Sequence, residues 1–437
     1  MADQPAWRSL NTRPVRPPVV SPFNRLARLH AVSAAAEAGV AIALAGSLFF
    51  DISPGAARGR VALYLLFTIA PFAVISPLVG PLLDRVQGAR RLIIAGGMGL
   101  RALVCVAMAR HLNSGLLFPE AFVLLVLSKT YAIGKSAMVP SVVDNDEELV
   151  EANSKLGLLS GIAGFAATIP TLVVRLVFHS SGVCIIAALA FAVATGLALR
   201  LPTPALARSS TRRALEGETH HTGGIALAGS AMAVVRACVG FLSFHLAFWL
   251  RGEHMATGWF GLILGASAIG SLVGNAAAPK LRSSLREEFM LMLALGGVAF
   301  VALVALAIGG LFGASLLSAA TGCCAAVGRL AFDSIVQRDG LATNRGRAFA
   351  RFETRFQLCW VLAAFVPVVV TFPENVGVAV VGFVALFGLG SYLLGTNYLK
   401  KRGLIPRSLF SRLGEGVRKR RALEIGRTFR PKPRPPM

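Results

Sequence analysis

Charge is scarce in this sequence. Only 15% of its 437 residues are Asp, Glu, Lys or Arg, against roughly 25% in soluble domains. Hydrophobic residues make up 55%, and the mean hydropathy is +0.67. That balance excludes both a disordered chain and a single soluble domain. Acidic residues are scarcer still, 21 against 44 Lys and Arg, for a net charge of +23. On a soluble protein such an excess would point to nucleic acid. Aromatic residues are few (8%) and do not interleave with the basic clusters as base stacking requires, so no nucleic-acid partner is expected. The six cysteines are Cys105, Cys184, Cys238, Cys323, Cys324 and Cys359, all within apolar runs and without CxxC or Cys/His metal spacing. They read as small packing residues rather than as disulfides or a metal centre. A G-x-x-x-x-G-K-[ST] nucleotide loop is also missing, as is any nucleophile–base constellation. ATP as the energy source, a cofactor and an enzymatic function are therefore not expected.

What the chain has is long apolar runs. Twelve segments run near 27–50, 61–82, 91–110, 116–138, 154–178, 182–201, 225–250, 255–278, 289–308, 310–332, 354–372 and 376–399. Each is close to the 20 or so residues that a membrane-crossing helix needs. The ninth and tenth are parted only by Gly309-Gly310. The first 25 residues are rich in Pro and Arg, and the first run ends at Phe49-Phe50-Asp51 rather than at a small-residue cleavage site. It reads as a retained helix, not a signal peptide.

Lys and Arg accumulate on the cytoplasmic side of membrane proteins. With the N-terminus inside, 36 basic residues fall in cytoplasmic tails, loops and helix ends, and four fall outside: Arg58, Arg60, Arg110 and Arg251. Four more lie within segments: Arg101, Lys129, Arg175 and Arg236. This split predicts an all-α, twelve-helix protein of the cytoplasmic membrane with both termini cytoplasmic. The chain also repeats itself weakly. Leu78-Val79-Gly80 recurs 194 residues later as Leu272-Val273-Gly274, and at the same offset Gly134-Lys135 matches Gly328-Arg329. The expected organisation is a basic N-tail (1–26), a six-helix half (27–201), a cytoplasmic linker (202–224), a second six-helix half (225–399) and a basic tail (400–437). Two such halves are the parallel-repeat plan of a large class of transporters.

At this point the chain resembles the major facilitator superfamily, over about residues 25–400. The best motif is the loop after the second segment, Gly80-Pro81-Leu82-Leu83-Asp84-Arg85, then Gly88 and Arg90-Arg91. The family pattern is G-x-x-x-D-R-x-G-R-R, here with one extra residue on either side of Gly88. Gly80 lets helix ends approach closely, and the Asp84 carboxylate suits the N-terminus of a neighbouring helix. The resemblance implies that this neighbour is the eleventh segment and that the contact is a gating latch. The second half keeps Gly274 but has Ala278 where Asp84 falls. The loop after the fourth segment, Val139-Pro140-Ser141 followed by Asp144, Asp146, Glu147, Glu148 and Glu151-Ala152-Asn153, is similar to the drug-exporter-like branch. The matching region after the tenth segment is basic, with Arg338, Arg345, Arg347, Arg351 and Arg355 around Asp333, Asp339 and Glu353. The two loops are expected to attract each other across a cytoplasmic gate, with Lys135 and Arg329 as an equivalent pair at the helix ends. The plainer reading is two solvated loops whose exposed pairs are worth little.

Ionisable residues in the membrane are costly and should face the bundle interior. Glu37 lies ten residues into the first segment, about 15 Å along it, and is the carboxylate best placed to load and release a proton. A structural ion pair that never titrates is the alternative. Lys129, in the middle of the fourth segment, is its expected partner. The resemblance implies that segments one, four, seven and ten line a central cavity, which would bring Arg236 and His245 to face Glu37 and Lys129. A cavity holding Glu37, Lys129 and Arg236 is net positive and favours an anionic or zwitterionic ligand. Arg101 and Arg175 are assigned to packing or to snorkelling toward the surface. Arg418, Lys419, Arg420 and Arg421 form a juxtamembrane cluster suited to anionic lipid.

The sequence is therefore read as a monomeric secondary transporter that moves a small amphiphilic or anionic molecule by alternating access, through proton-coupled efflux as an antiporter. The alternatives are uptake or facilitated diffusion of an anionic metabolite, and a non-transporting scaffold or sensor acting through its loops and tail.

Overall fold

The computed structural model describes residues 21–48, 90–112, 114–143, 148–201, 218–253, 257–339 and 345–402. Among them are ten helices long and apolar enough to cross a membrane. In chain order these are α1 (Pro22–Leu48), α2 (Arg90–His111), α3 (Leu117–Met138), α4 (Leu149–Leu199), α5 (Glu218–Gly252), α6 (Thr257–Ser284), α7 (Glu287–Ile308), α8 (Gly310–Asp339), α9 (Arg345–Val369) and α10 (Glu374–Lys401). The expected second segment, 61–82, lies outside the described residues.

Local chemistry sets several of these boundaries. Ser21 caps α1, its hydroxyl accepting from the Asn24 amide at 3.2 Å. Pro22 takes the first helical position, where its missing N–H costs nothing. Between α7 and α8 the whole turn is Gly309 (φ 67°) and Gly310 (φ 58°), a left-handed pair that side chains with a Cβ adopt poorly.

The 51-residue α4 would be about 76 Å long if straight, more than twice a hydrocarbon core. It is instead two arms. His179 breaks it at φ 59°, ψ −171°. Thr171 and Ala187, eight residues to either side, both lie within 3.9 Å of where a methyl on Gly39 of α1 would sit. The chain therefore doubles back at 179, in the gap between the fifth and sixth expected segments. Eleven of the twelve segments thus correspond to helix.

Side-chain packing divides the helices into two groups. One buried core takes all its members from residues 26–201. The largest core lies within 228–392, joined by Ile133, Ala137 and Val150 from the first group. Those three residues lie at or near the end of α3 and the start of α4, so the groups meet closely there.

Within the second group α6 and α8 cross at backbone contact. A methyl on Gly270 would lie 1.9 Å from the Ala319 carbonyl oxygen, one on Gly274 2.4 Å from that of Cys323, and one on Gly322 2.2 Å from that of Ser267. Gly270 and Gly274 form a G-x-x-x-G pair, the spacing that lets membrane helices approach closely. Gly274→Val is expected to force the helices apart, at about 1–3 kcal/mol for overpacking. Thermal melting of the detergent-solubilised protein reads this directly; an unchanged midpoint would contradict the close crossing.

Candidate functional site

The first polar centre lies between α1, α2 and α3. Arg101 is fully buried at 0% exposure. Its Nη1 donates to Glu37 Oε1 at 3.0 Å and to Ser33 Oγ at 3.2 Å. The guanidinium rests on Tyr131 (5.6 Å) and Phe191 (5.2 Å), an arrangement in which ring faces stabilise the cation. The Tyr131 hydroxyl lies 3.2 Å from His30 Nδ1. Ser33 and Glu37 are one helical turn apart, so one face of α1 presents both to Arg101. The Glu37 side chain is 42% exposed while that of Arg101 is 1% exposed. One end of the pair is sealed and the other is open to solvent.

The direct ion-pair partner of Glu37 is thus Arg101, while Lys129, the expected partner, lies within electrostatic range of it. The physical reason is that a sealed guanidinium cannot lose its proton and must hold the nearest carboxylate. Arg101, which the sequence assigns to packing or snorkelling, is in fact the residue that holds Glu37.

The second centre joins α8 and α9 and reaches toward the first group. Arg329 donates through Nη1 to Glu353 Oε2 at 2.7 Å and pairs through Nε with Asp333 Oδ1 at 3.0 Å. Its guanidinium lies 5.8 Å from the Phe356 ring. Asp333 and Glu353 are buried, at 6% and 8% exposure. Lys129 and Arg236 lie within electrostatic range of Glu353, and Lys135 within range of Asp333 and Glu353. Lys129, Arg236, Lys135 and Arg329 are thus brought into one charged group. His245 is set apart from it. Its ring packs between α5 and α10, stacked on Phe241 and edge-on to Phe372, with Gly377 so close that a methyl there would sit 2.0 Å from Nε2. Gly377→Ala should therefore lower the melting midpoint while leaving the charged group intact.

Asp333 and Glu353 belong to helices rather than to a solvated basic loop, a second correction. The residue spacing carried the signal. Arg329, Asp333 and Gln337 recur every four residues on α8, a polar stripe on one face of an apolar helix. Gln337, fully buried, extends that stripe to the other group. Its Nε2 donates to the Ser136 carbonyl at 2.9 Å, and Asn153 Nδ2 donates to its Oε1 at 2.7 Å. The Ser154 hydroxyl also donates to the Asn275 carbonyl. These neutral hydrogen bonds clasp the two groups at one end of the bundle. Of the acidic run expected to serve there, Glu151 pairs with Lys155 on its own helix, and Asp144, Asp146 and Glu147 lie outside the described residues.

Gly80, Asp84 and Arg85 of the loop motif also lie outside the described residues; Arg90 and Arg91 open α2. The corresponding position in the second group carries a buried network instead. Glu287, at 0% exposure, pairs with Arg282 Nε at 2.6 Å and Arg338 Nη1 at 2.9 Å, and accepts from the Ser334 hydroxyl at 3.2 Å. It ties the ends of α6 and α8 to the start of α7.

No family model matches the chain. An uncharacterized protein of Mycobacterium leprae is 32% identical over 396 residues, covering 81% of this chain and 68% of that protein. An uncharacterized protein of Mycobacterium tuberculosis is 34% identical over 289 residues, but the match spans only 51% of its length. An uncharacterized MFS-type transporter of Mycobacterium tuberculosis is 26% identical over 441 residues, 94% of both chains. Among solved structures, a bacterial homologue of the iron transporter ferroportin in an outward-facing state superimposes with a TM-score of 0.66 at 15% identity, covering 86% of this chain and 99% of that one. The transporter FucP in its outward conformation gives 0.62 at 14% identity, covering 86% and 98%. The chain belongs to the same family as the Mycobacterium leprae protein, and its fold is similar to that of these solved transporters, FucP of the major facilitator superfamily among them.

Proposed function

We propose that the protein is a proton-coupled secondary transporter in which Glu37 carries the proton and the two helix groups rock about the charged centre between them. The fold shared with solved transporters and the likeness to an MFS-type transporter support secondary transport. The observation that carries the coupling is the asymmetry of the Glu37–Arg101 pair, a half-exposed carboxylate against a sealed guanidinium. Arg101 keeps its charge at every relevant pH, so Glu37 is the member of the pair that can exchange a proton. Protonation strands Arg101 without its counter-charge, which raises the free energy of this conformation relative to one that re-satisfies it. Ser33, Tyr131, Lys129 and Lys135 are the other polar and charged groups near the carboxylate, and His30 joins them through Tyr131.

The basic-residue asymmetry supports placing the clasped end on the cytoplasmic side, with residues 61–82 as the twelfth span and the two groups as the two halves. The clasp then closes the inner gate of an outward-facing state. The loop resemblance to drug exporters favours efflux by exchange for protons, with a single chain as the working unit. The basic tail beyond 402 lies outside the described residues and is assigned to anionic lipid.

The test is an inter-group distance measurement. Spin labels at Lys155 and Ser283, in a background with the six native cysteines replaced, report on the clasped end by electron–electron resonance. Alternating access requires a second, longer distance whose population rises when Glu37 is protonated at low pH or replaced by Gln. A single distribution that is the same in wild type and Glu37→Gln at every pH would overturn the mechanism.

A further inference from the structure

A threonine inside a helix can return its hydroxyl to the carbonyl four residues back. Thr130, Thr168, Thr171, Thr195, Thr354 and Thr396 all do so, at 2.6–2.9 Å. Thr321, in α8, does not. It is 2% exposed, and its Oγ1 is buried without a hydrogen-bond partner. A hydroxyl removed from water and left unpaired is costly, so this one invites a partner from outside the helix.

Thr321 lines a pocket walled by α5, α6 and α8, with about 430 Å³ of free space counted out to its mouth. The floor is apolar. Leu242, Leu246, Leu250 and Ile263 line it, each at most 5% exposed. Ser243 and Leu264 stand exposed at the rim. Two further lining hydroxyls are already engaged, Ser243 donating to the Val239 carbonyl at 2.8 Å and Ser318 to that of Ile263 at 3.0 Å. The free polar group is that of Thr321. None of the lining residues is charged, so an ion would enter without a counter-charge. Every lining residue belongs to the second helix group. The pocket sits beside the α6–α8 crossing, on the far side from Asn275 and Gln337 of the clasp.

We infer that this pocket binds a small uncharged alcohol or phenol, its apolar body on the leucine floor and its hydroxyl oxygen accepting from Thr321 Oγ1. The two halves of the lining select that chemistry together. A hydrocarbon chain would cover the leucines and leave the threonine unpaired, whereas water would satisfy the threonine and lie against leucine. An alcohol answers both. The site is built within one helix group rather than between the two, and it is carried whole by that group whichever way the groups move. It is a binding claim, independent of proton coupling.

The experiment uses the purified full chain in detergent micelles and a hexanol that carries a photoactivatable diazirine on its chain. Labelled peptides are mapped by mass spectrometry. Labelling should saturate and concentrate in 239–250, 263–267 and 318–321, the segments that wall the pocket. Plain hexanol should compete for it. Chlorohexane, which lacks the hydroxyl, and the charged hexanoate and hexylammonium ions should each compete at least about fivefold more weakly, the loss of one neutral hydrogen bond being worth about 1 kcal/mol. Thr321→Val keeps the side-chain shape and should weaken saturable labelling by the same factor. Thr321→Ser, which restores a hydroxyl, should retain it. Labelling spread evenly onto exposed apolar positions such as Phe312 and Phe383, equal competition by chlorohexane, or labelling unchanged in Thr321→Val would each overturn the site. Any of these results leaves the Glu37 reading standing, because that carboxylate lies in the other helix group.

Discussion

Replacing Glu37 by glutamine is expected to remove gradient-driven movement without unfolding the protein. In inside-out vesicles carrying Glu37→Gln, accumulation of a transported compound should fall to the level seen without a proton gradient. Exchange of that compound across the membrane at equilibrium should persist. The separation of the two effects follows from the geometry. The glutamine side chain keeps a carbonyl that can accept from Arg101 Nη1, which lies 3.0 Å from the Glu37 carboxylate. Its amide neither binds nor releases a proton, so the switch is fixed in one state. Glu37→Ala removes the acceptor as well. Breaking a wholly buried ion pair costs about 3–5 kcal/mol, and the 42% exposure of Glu37 sets this one below that range. Comparing the two variants therefore separates the coupling role from the structural one. A Glu37→Gln protein that still accumulates the compound in response to the gradient would show that the pair is a fixed strut.

The largest effect on stability is expected at Glu287. Its carboxylate is fully buried and joins Arg282 and Arg338, which come from two other helices. Glu287→Leu leaves Arg282, itself 4% exposed, without the carboxylate that neutralises it. Arg338 keeps Glu288 and Asp339. Stranding one buried cation costs about 3–5 kcal/mol, a large fraction of the roughly 5–15 kcal/mol by which most folded domains are stable. The expected result is a strongly lowered melting midpoint and poor recovery of monodisperse protein. Glu287→Gln should fall between Leu and wild type, because its amide oxygen still accepts. Equal midpoints for all three would mean that the network contributes no net stability.

The fold was legible because it is written in hydrophobic length. Apolar runs of 20 or so residues located eleven helical segments, and the turns at His179 and Gly309-Gly310 fall in the expected gaps. Glu37 was legible for the same reason, since a carboxylate deep in an apolar run has few structural explanations. Its partner was not. Arg101 looks the same in sequence whether it snorkels to the surface or is sealed under Tyr131 and Phe191, because which face of α2 meets α1 is a property of packing. Glu353 was obscured differently. It stands among Arg347, Arg351 and Arg355, and a charge-dense stretch reads as a loop, whereas α9 starts at Arg345. The neutral clasp of Asn153, Gln337 and Ser136 carries no charge signal. Only the four-residue spacing of Arg329, Asp333 and Gln337 marks it.

Wild-type protein in inside-out vesicles, with and without an imposed proton gradient and with a panel of anionic, zwitterionic and cationic fluorescent compounds, tests the central claim most directly. The account predicts gradient-dependent accumulation of at least one member of the panel. Accumulation that ignores the gradient, or no movement of any member of the panel, would contradict it.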